Sequence, residues 1–558
     1  MFNKEPVVLG LDIGTTHCVA ATLKHGKPRA IDLGYGKKSM SSNHALYSDS
    51  QIDVGTMDDT APPTNGLLVS NTKRLIGRRD GQLINDIRNW NLPFEINHEG
   101  TAVCRFRGDE IRPEEFYAYN IIKVTQLAKE DIKDEVEAYA IAIPAYFGDE
   151  QRQAVLDSAK IAGIPNATLV NEPTAAITGH LTSHPETEGE LFLVVDIGAG
   201  TADVSLVDVT TDRTTFHVKG TSGDSHSGGE EYTYKIVDMV KEKKKDHGLS
   251  AHALKMACEN AKKSGKATIR VRLSEDSFVL KKEDHKKAVK DLLSRLERVI
   301  LDAFPQDLCL NDVDNVLMVG GGCWHPLVYD FCQEFFGKER VIRPGNLCTL
   351  VAEGAALAVR PNNKLQITDV LSQPLGIETQ KEDDEQEEDD EQKGVMKVIL
   401  NRNDPIPCSN GERFKAIHDK VTEIRVFSGG NTKASENTFL RSFFIDTIKG
   451  EYFIVNVEAE ANGKFTVTAI REKSQKVVKV IEKGPGLSEE EIKILQARAH
   501  DRCTSDSTSD DGADADDGAD ADDGADADAD TSRNRAGPKK RKRGKHKKWS
   551  KRRRQVSK

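Results

Sequence analysis

Two short segments of this chain carry the residues needed to grip a phosphate. The first reads Val7-Val8-Leu9-Gly10-Leu11-Asp12-Ile13-Gly14-Thr15-Thr16. The second reads Leu193-Val194-Val195-Asp196-Ile197-Gly198-Ala199-Gly200-Thr201-Ala202-Asp203. Each is an apolar strand that breaks on Asp, Gly and Thr. Glycine allows backbone conformations closed to other residues and lets amide N–H groups face an anion. Thr hydroxyls add donors. An Asp at each strand end suits the water shell of Mg2+, which takes few direct protein ligands. A single such turn reads equally well as a tight hairpin. Two turns facing each other would hold the phosphates of one nucleotide from both sides.

The elements that must position these turns are legible in outline. Up to about Pro361, short apolar runs alternate with amphipathic stretches, the pattern of layered α/β domains. Residues 138–144 read as a strand. Residues 149–163 read as a helix that ends at Gly163, with Pro165 beyond it. From about Leu375 to Ile481, β-rich runs at 395–400, 424–427, 452–457 and 465–470 are broken by Asn, Gly and Pro, which predicts an antiparallel sandwich. A last helix is predicted from Ser488 to about Arg502. Glu491 completes a capping box, and Ile492, Leu495 and Ala499 share one face.

With 558 residues the chain can hold several cored domains. No apolar run approaches the roughly 18–20 residues that cross a bilayer, so no membrane role is expected. The first strand begins at Val7, which leaves no room for a signal peptide in this sequence. Nine scattered cysteines without a Cys-x-x-Cys pair point to a reducing compartment and away from zinc.

The net charge of −11 conceals an asymmetry near the C-terminus. Residues 506–530 hold 12 Asp and no basic residue, and Asp-Asp-Gly-Ala-Asp-Ala repeats from Asp510, Asp516 and Asp522. Residues 539–554 hold 12 Lys or Arg and no acidic one. The acidic stretch lacks the apolar residues needed for a core and is expected to be disordered. The basic block reads as a solvated tail, or as a segment for nuclear targeting or for binding RNA or another polyanion. The expected location is cytoplasmic, nuclear or both.

Several motifs together resemble the 70-kilodalton heat-shock chaperone family. They are Asn71-Thr-Lys-Arg-Leu-Ile-Gly-Arg-Arg79, Ile143-Pro-Ala-Tyr-Phe-Gly-Asp-Glu-Gln-Arg-Gln-Ala154, Asn171-Glu-Pro-Thr-Ala-Ala176, Gly223-Asp-Ser-His-Ser-Gly-Gly-Glu230 and Leu375-Gly-Ile-Glu-Thr379. The similarity runs from about residue 5 to 495. It implies an α/β actin-like nucleotide-binding domain over 1–363 and an interdomain linker over 364–371. A β-sandwich peptide-binding domain would follow over 372–484, with an acidic insert at 381–392. A truncated lid helix over 485–503 and a disordered tail over 504–558 would complete the chain.

The resemblance also implies roles at matching positions. ATP and Mg2+ are the implied cofactors, with K+ a candidate companion ion. Asp12 and Asp196 would hold the metal's water shell. Gly14, Thr15, Thr16, Gly198, Ala199, Gly200 and Thr201 would cradle phosphates. Lys73 would reach the γ-phosphate, and Glu172 and Asp203 would position the attacking water. Phosphoryl transfer needs chiefly alignment and charge neutralisation, which such a set supplies. Gly228, Gly229, Glu230, Glu259, Lys262 and Lys263, with Gly320, Gly321, Gly322 and Trp324, would bind the nucleoside. Ile377, Thr379, Phe414, Ala416, Thr422 and Ile424 match positions in or around the peptide groove.

The departures are as informative. Lys263 and Trp324 stand where the family has two Arg that sandwich adenine, Lys266 replaces a Ser, and Cys348 replaces an Asp. Trp can stack on a purine. Arg152 and Asp369 match residues that couple the domains, but the linker Lys364-Leu-Gln-Ile-Thr-Asp369 is more polar than the family's Leu-rich one. Thr168 replaces an Arg that J-domain partners engage. Thr422 replaces an apolar groove residue, and the acidic insert stands where the family has a short Gly-rich turn. The insert reads as a solvated loop, or as an anionic lip for basic clients or for the basic tail.

The implied function is a stress-response chaperone that hydrolyses ATP to regulate binding of unfolded or extended polypeptides and assist protein folding. J-domain co-chaperones and nucleotide exchange factors are the implied partners. An alternative is an ATP-binding regulatory co-chaperone or scaffold with little client cycling. A sugar kinase of the same fold is disfavoured by the sandwich after the linker.

Overall fold

The computed structural model describes residues 6–48, 51–56, 63–79, 81–264, 266, 268–379, 394–416, 419–460, 464–473, 477–481 and 486–504. The acidic insert and the acidic and basic tail lie outside the described residues.

Two sheets carry the two phosphate turns. In the first, Val8–Ile13 pairs parallel with Ala138–Ile143 and antiparallel with His17–Lys24. Ala138–Ile143 in turn pairs parallel with Ala167–Asn171. In the second, Leu191–Ile197 pairs parallel with Asn315–Val319 and antiparallel with Ala202–Val209. The central strands are apolar on both faces because helices cover both faces. Leu9, Leu11, Leu193, Val195 and Leu317 are fully buried.

Helices Glu172–Ser183 and Leu350–Ala358 contribute to one apolar core with strands of both sheets. They cross so closely that a Cβ on Gly354 would sit 1.7 Å from the carbonyl oxygen of Ala175. Only glycine permits that approach. A smaller core joins helices Gly229–Lys243 and Ala251–Lys263 to the hairpin Ile269–Arg272 and Ser277–Leu280.

Residues 375–481 form two four-stranded antiparallel sheets over one core. The predicted run at 395–400 is the strand Val395–Leu400. The other three lie within Lys420–Ser428, Tyr452–Ala459 and Phe465–Arg471.

The expected linker is not a loose connection. Gln366–Val370 is a strand that pairs parallel with Thr215–Asp224 and antiparallel with Pro405–Ile406. The second nucleotide-side sheet therefore runs on through the linker into the sandwich segment. Side chains reinforce the join. Arg152 Nη2 donates to Asn171 Oδ1 at 2.9 Å, and Asn171 Nδ2 donates to Asp369. Arg441 Nη2 lies 3.3 Å from Asp149 Oδ2, and Thr221 N donates to Asn403 Oδ1 at 3.2 Å.

The last helix, Glu489–Thr504, has the predicted capping box. Ser488 N donates to Glu491 Oε2 at 2.8 Å, and Glu491 N donates to Ser488 Oγ at 3.2 Å. Its apolar face is the predicted one, but it packs away from the sandwich. Ile492, Leu495 and Ala499 are buried in the core of the first nucleotide-side sheet. Among the described residues, no helix is long and apolar enough to cross a membrane.

Candidate nucleotide site

Each turn is the tight link between two antiparallel strands. Gly14 N donates to His17 O at 3.0 Å, and Gly198 N donates to Thr201 O at the same distance. The turns face each other directly. A Cβ on Gly200 would lie 2.8 Å from Thr15 Oγ1. A cleft of about 500 Å3 opens beside them. It is lined by Asp12, Gly14, Thr15, Thr16, Lys73, Glu172, Asp196, Gly198, Ala199 and Thr201, all expected from the sequence. The expected Gly229, Glu230, Glu259, Lys262, Lys263, Gly320, Gly321, Gly322 and Trp324 line it too, and Gly229 N donates to Gly198 O of the second turn at 2.9 Å.

Three expected residues sit just behind the cleft surface. Gly200 backs onto Thr15. A Cβ on Gly228 would meet Ala199 O at 2.3 Å. Asp203 accepts from Thr201 Oγ1 at 3.1 Å.

Lys73 and Glu172 form the pair at the centre. Lys73 belongs to a short 3-10 turn after Asn71, whose φ is 61°. Glu172 is the first residue of a helix with Pro173 following it, a position that suits both a carboxylate and Pro. Lys73 Nζ donates to Glu172 Oε1 at 2.8 Å, with both side chains buried. Burial alone would disfavour the ammonium, but the charge of Glu172 above all, with that of Asp12, outweighs it and raises its pKa.

Carboxylates outnumber cations here. Burial, then the charge of Glu172, pushes Asp12 up to about 7. The same causes raise Asp196 and Asp203 well above the ordinary carboxylate range. Asp203 Oδ1 is buried with no hydrogen-bond partner. Four buried carboxylates around one lysine fit a divalent cation, whose charge would offset both the burial and the crowding of these groups. Among the described residues, no group of three or more His, Cys, Asp or Glu is arranged to ligate a metal directly. A hydrated Mg2+ needs no such cage.

Two helices build another part of the cleft wall. Lys255 Nζ pairs with Glu230 Oε1 at 2.7 Å, and Asn71 Nδ2 donates to Glu230 Oε2 at 2.8 Å. Burial would raise the Glu230 carboxyl, but Lys255 and Arg74 hold it below its ordinary value. Lys262 Nζ pairs with Glu259 at 2.7 Å and donates to Gly229 O at 2.7 Å. Lys263 lies 3.5 Å from Glu259 and is exposed.

Trp324 stands at the mouth with 46% of its surface exposed. The Arg343 guanidinium is 5.2 Å from its ring centroid and 3.9 Å from that of Tyr329. Cys348 also lines the cleft, whereas Lys266 is exposed and does not.

Sequence reasoning missed Lys255, His325, Tyr146 and Asn171. Lys255 had a signal, since Lys255, Glu259 and Lys262 recur at spacings of four and three along one helix face. His325 had none. It reaches the cleft wall only because its helix begins there. Burial and the neighbouring His285 hold His325 neutral, with its pKa lowered to about 3.

The expected peptide-groove residues come together, but inside the sandwich. Ile377, Ala416 and Ile424 are buried in its core, and Phe414 packs against it. Thr379 Oγ1 donates to Val395 O at 3.1 Å, and Thr422 Oγ1 lies 2.8 Å from Thr447 Oγ1. The exposed apolar side chains Val421, Phe444 and Ile448 lie on or beside the strands Lys420–Ser428 and Thr438–Thr447.

A family model described as Hsp70 protein matches residues 8–552 of this chain. That span takes in both phosphate turns, the linker strand and the sandwich.

Proposed function

Since the chain belongs to the 70-kilodalton heat-shock protein family, whose members are ATPases with a general chaperone role, we propose that it cleaves ATP and couples the cleavage to binding of extended polypeptide segments. The facing turns, with the Lys73–Glu172 pair set between them, carry this reading. The amides and hydroxyls of the turns would fix the β- and γ-phosphates. Lys73 would neutralise charge as the bond to the leaving β-phosphate oxygen breaks. Glu172 and Asp203 would orient the attacking water. Bound Mg2+, held through water by Asp12 and Asp196, would supply further charge neutralisation.

The continuous sheet through the linker gives this domain boundary a mechanical meaning. A change at Thr201 and Lys73 has a short path to Tyr146, Arg152, Asn171 and the linker's Asp369. The proposed boundaries of the two domains fall on either side of this strand.

A second reading, as a regulatory co-chaperone or scaffold, is favoured by the burial of Ile377, Ala416 and Ile424 in the sandwich core. Single-turnover ATP hydrolysis, with and without a model peptide, separates the two. Cleavage that peptide accelerates supports the chaperone. ATP binding with no cleavage and no peptide effect supports the scaffold.

A further inference from the structure

The nucleotide cleft has a second cavity behind it. Lys73, Tyr146, Phe147 and Thr201 line both spaces, so these four residues form a shared wall. The second cavity encloses about 420 Å3. Arg74, Arg78 and Arg79 line it, together with residues 370 and 371 of the linker and residues 372, 373 and 428–431 of the sandwich.

Among the described residues that line it, the cation left without a partner is Arg79. Five cationic side chains line the cavity against the three carboxylates Asp149, Glu150 and Glu436. Four of the cations are engaged: Lys73 with Glu172, Arg78 with Asp86, Arg152 with Asn171, and Arg74 with Glu230 and Glu231. Arg79 is exposed and has no ion-pair or hydrogen-bond partner among the described residues. Arg74 Nε is buried without a hydrogen-bond partner, and it faces Gly200 of the second phosphate turn.

Hydrolysis at the turns would leave inorganic phosphate enclosed by both turns, with ADP filling the mouth of the cleft. The shared wall is then the way out that does not require ADP to leave first. We propose that the second cavity is an oxyanion site that receives this phosphate, and that Arg79 draws it through the wall. A guanidinium suits the task because it presents paired donors to phosphate oxygens. The inference rests on the hydrolytic reading above. It adds that phosphate leaves through a space roofed by the linker and the sandwich, so that its departure reports on whether the sandwich is docked.

The test uses the full chain saturated with ADP and Mg2+, and measures radiolabelled inorganic phosphate by equilibrium dialysis. The parent should bind phosphate. Arg79→Glu should weaken that binding by about tenfold or more, and Arg79→Lys by less, with ADP affinity unchanged. No binding by the parent, or equal binding by Arg79→Glu, overturns the proposal. In single-turnover reactions, quenched-flow sampling reports cleavage and a fluorescent phosphate sensor reports release. Arg79→Glu should slow release while leaving cleavage intact, and equal release rates also overturn the proposal. If the parent cleaves no ATP, the hydrolytic reading fails, and the dialysis alone still decides whether the cavity binds phosphate.

Discussion

At the scale of single residues, Lys73 and Trp324 are the sharpest tests. Lys73 is buried, fixed by Glu172 and placed beside both turns. Lys73→Ala should lower the rate of ATP cleavage by about 100-fold or more, the effect of removing one preorganised charge-stabilising group. ADP binding should change little. Equal cleavage by variant and parent in a single-turnover assay would remove Lys73 from the chemistry. Trp324 lines the cleft and is 46% exposed, with Arg343 beside its ring. Stacking on a base contributes about 1–3 kcal/mol, so Trp324→Ala should weaken ADP binding by roughly fivefold or more, and Trp324→Phe by less. Calorimetry that finds one affinity for all three proteins would show that the ring does not touch the base.

At the scale of elements, the helix Glu489–Thr504 is the clearest case. Arg498 Nη2 lies 2.5 Å from Glu115 Oε1, whose side chain is fully buried. Burial raises the Glu115 carboxyl above its ordinary 4.5, and Arg498 is the strongest of the influences that limit the rise. A carboxyl raised on folding binds its proton more tightly in the folded state. It therefore lowers stability as pH rises above its unfolded value. Arg498→Ala should raise this carboxyl further. Its cost should be small near pH 4.5 and largest at neutral and alkaline pH. Removing one partner of a buried pair costs about 3–5 kcal/mol, and less is expected here because Arg498 is 28% exposed. Thermal melts at pH 5 and pH 8 check the sign. A loss equal at both pH values would mean that Arg498 acts through packing alone.

At the scale of the whole molecule, the linker strand and the last helix set the terms of client binding. The helix that follows the sandwich packs on the first nucleotide-side core. Peptide binding should therefore be weak and exchange rapidly. The insert at 381–392 should favour peptides flanked by basic residues, with a preference that fades as salt screens it. Fluorescence anisotropy on the parent and on a variant lacking the insert measures both effects. Slow dissociation that ATP strongly accelerates would contradict this expectation. The basic block at 539–554 belongs to the same scale, since its 12 cations act together. Deleting residues 533–558 should reduce salt-dependent RNA retention and nuclear accumulation. If neither changes, the segment serves only solubility.

How much could be read in advance depended on the range of the interaction. Strands such as Val395–Leu400, the capping box at Ser488 and the two phosphate turns are local patterns. Local sterics and side-chain hydrogen bonds write them into neighbouring residues. The expected nucleotide-site set was legible for the same reason, because its members occur within short motifs. Lys255 lies on a readable helix face, whereas Tyr146 and His325 gain meaning only from what packs beside them. Two apolar strands that end in phosphate turns, an α/β part, a sandwich and a capped helix follow from the order of the residues alone. Folding added that Gln366–Val370 joins both parts as a strand, that Ile492 and Leu495 dock on the nucleotide side, and that the expected groove residues Ile377 and Ile424 are buried. Strand pairing and the burial of an apolar face satisfy any partner of suitable shape, so a local pattern announces the need for a partner without naming it.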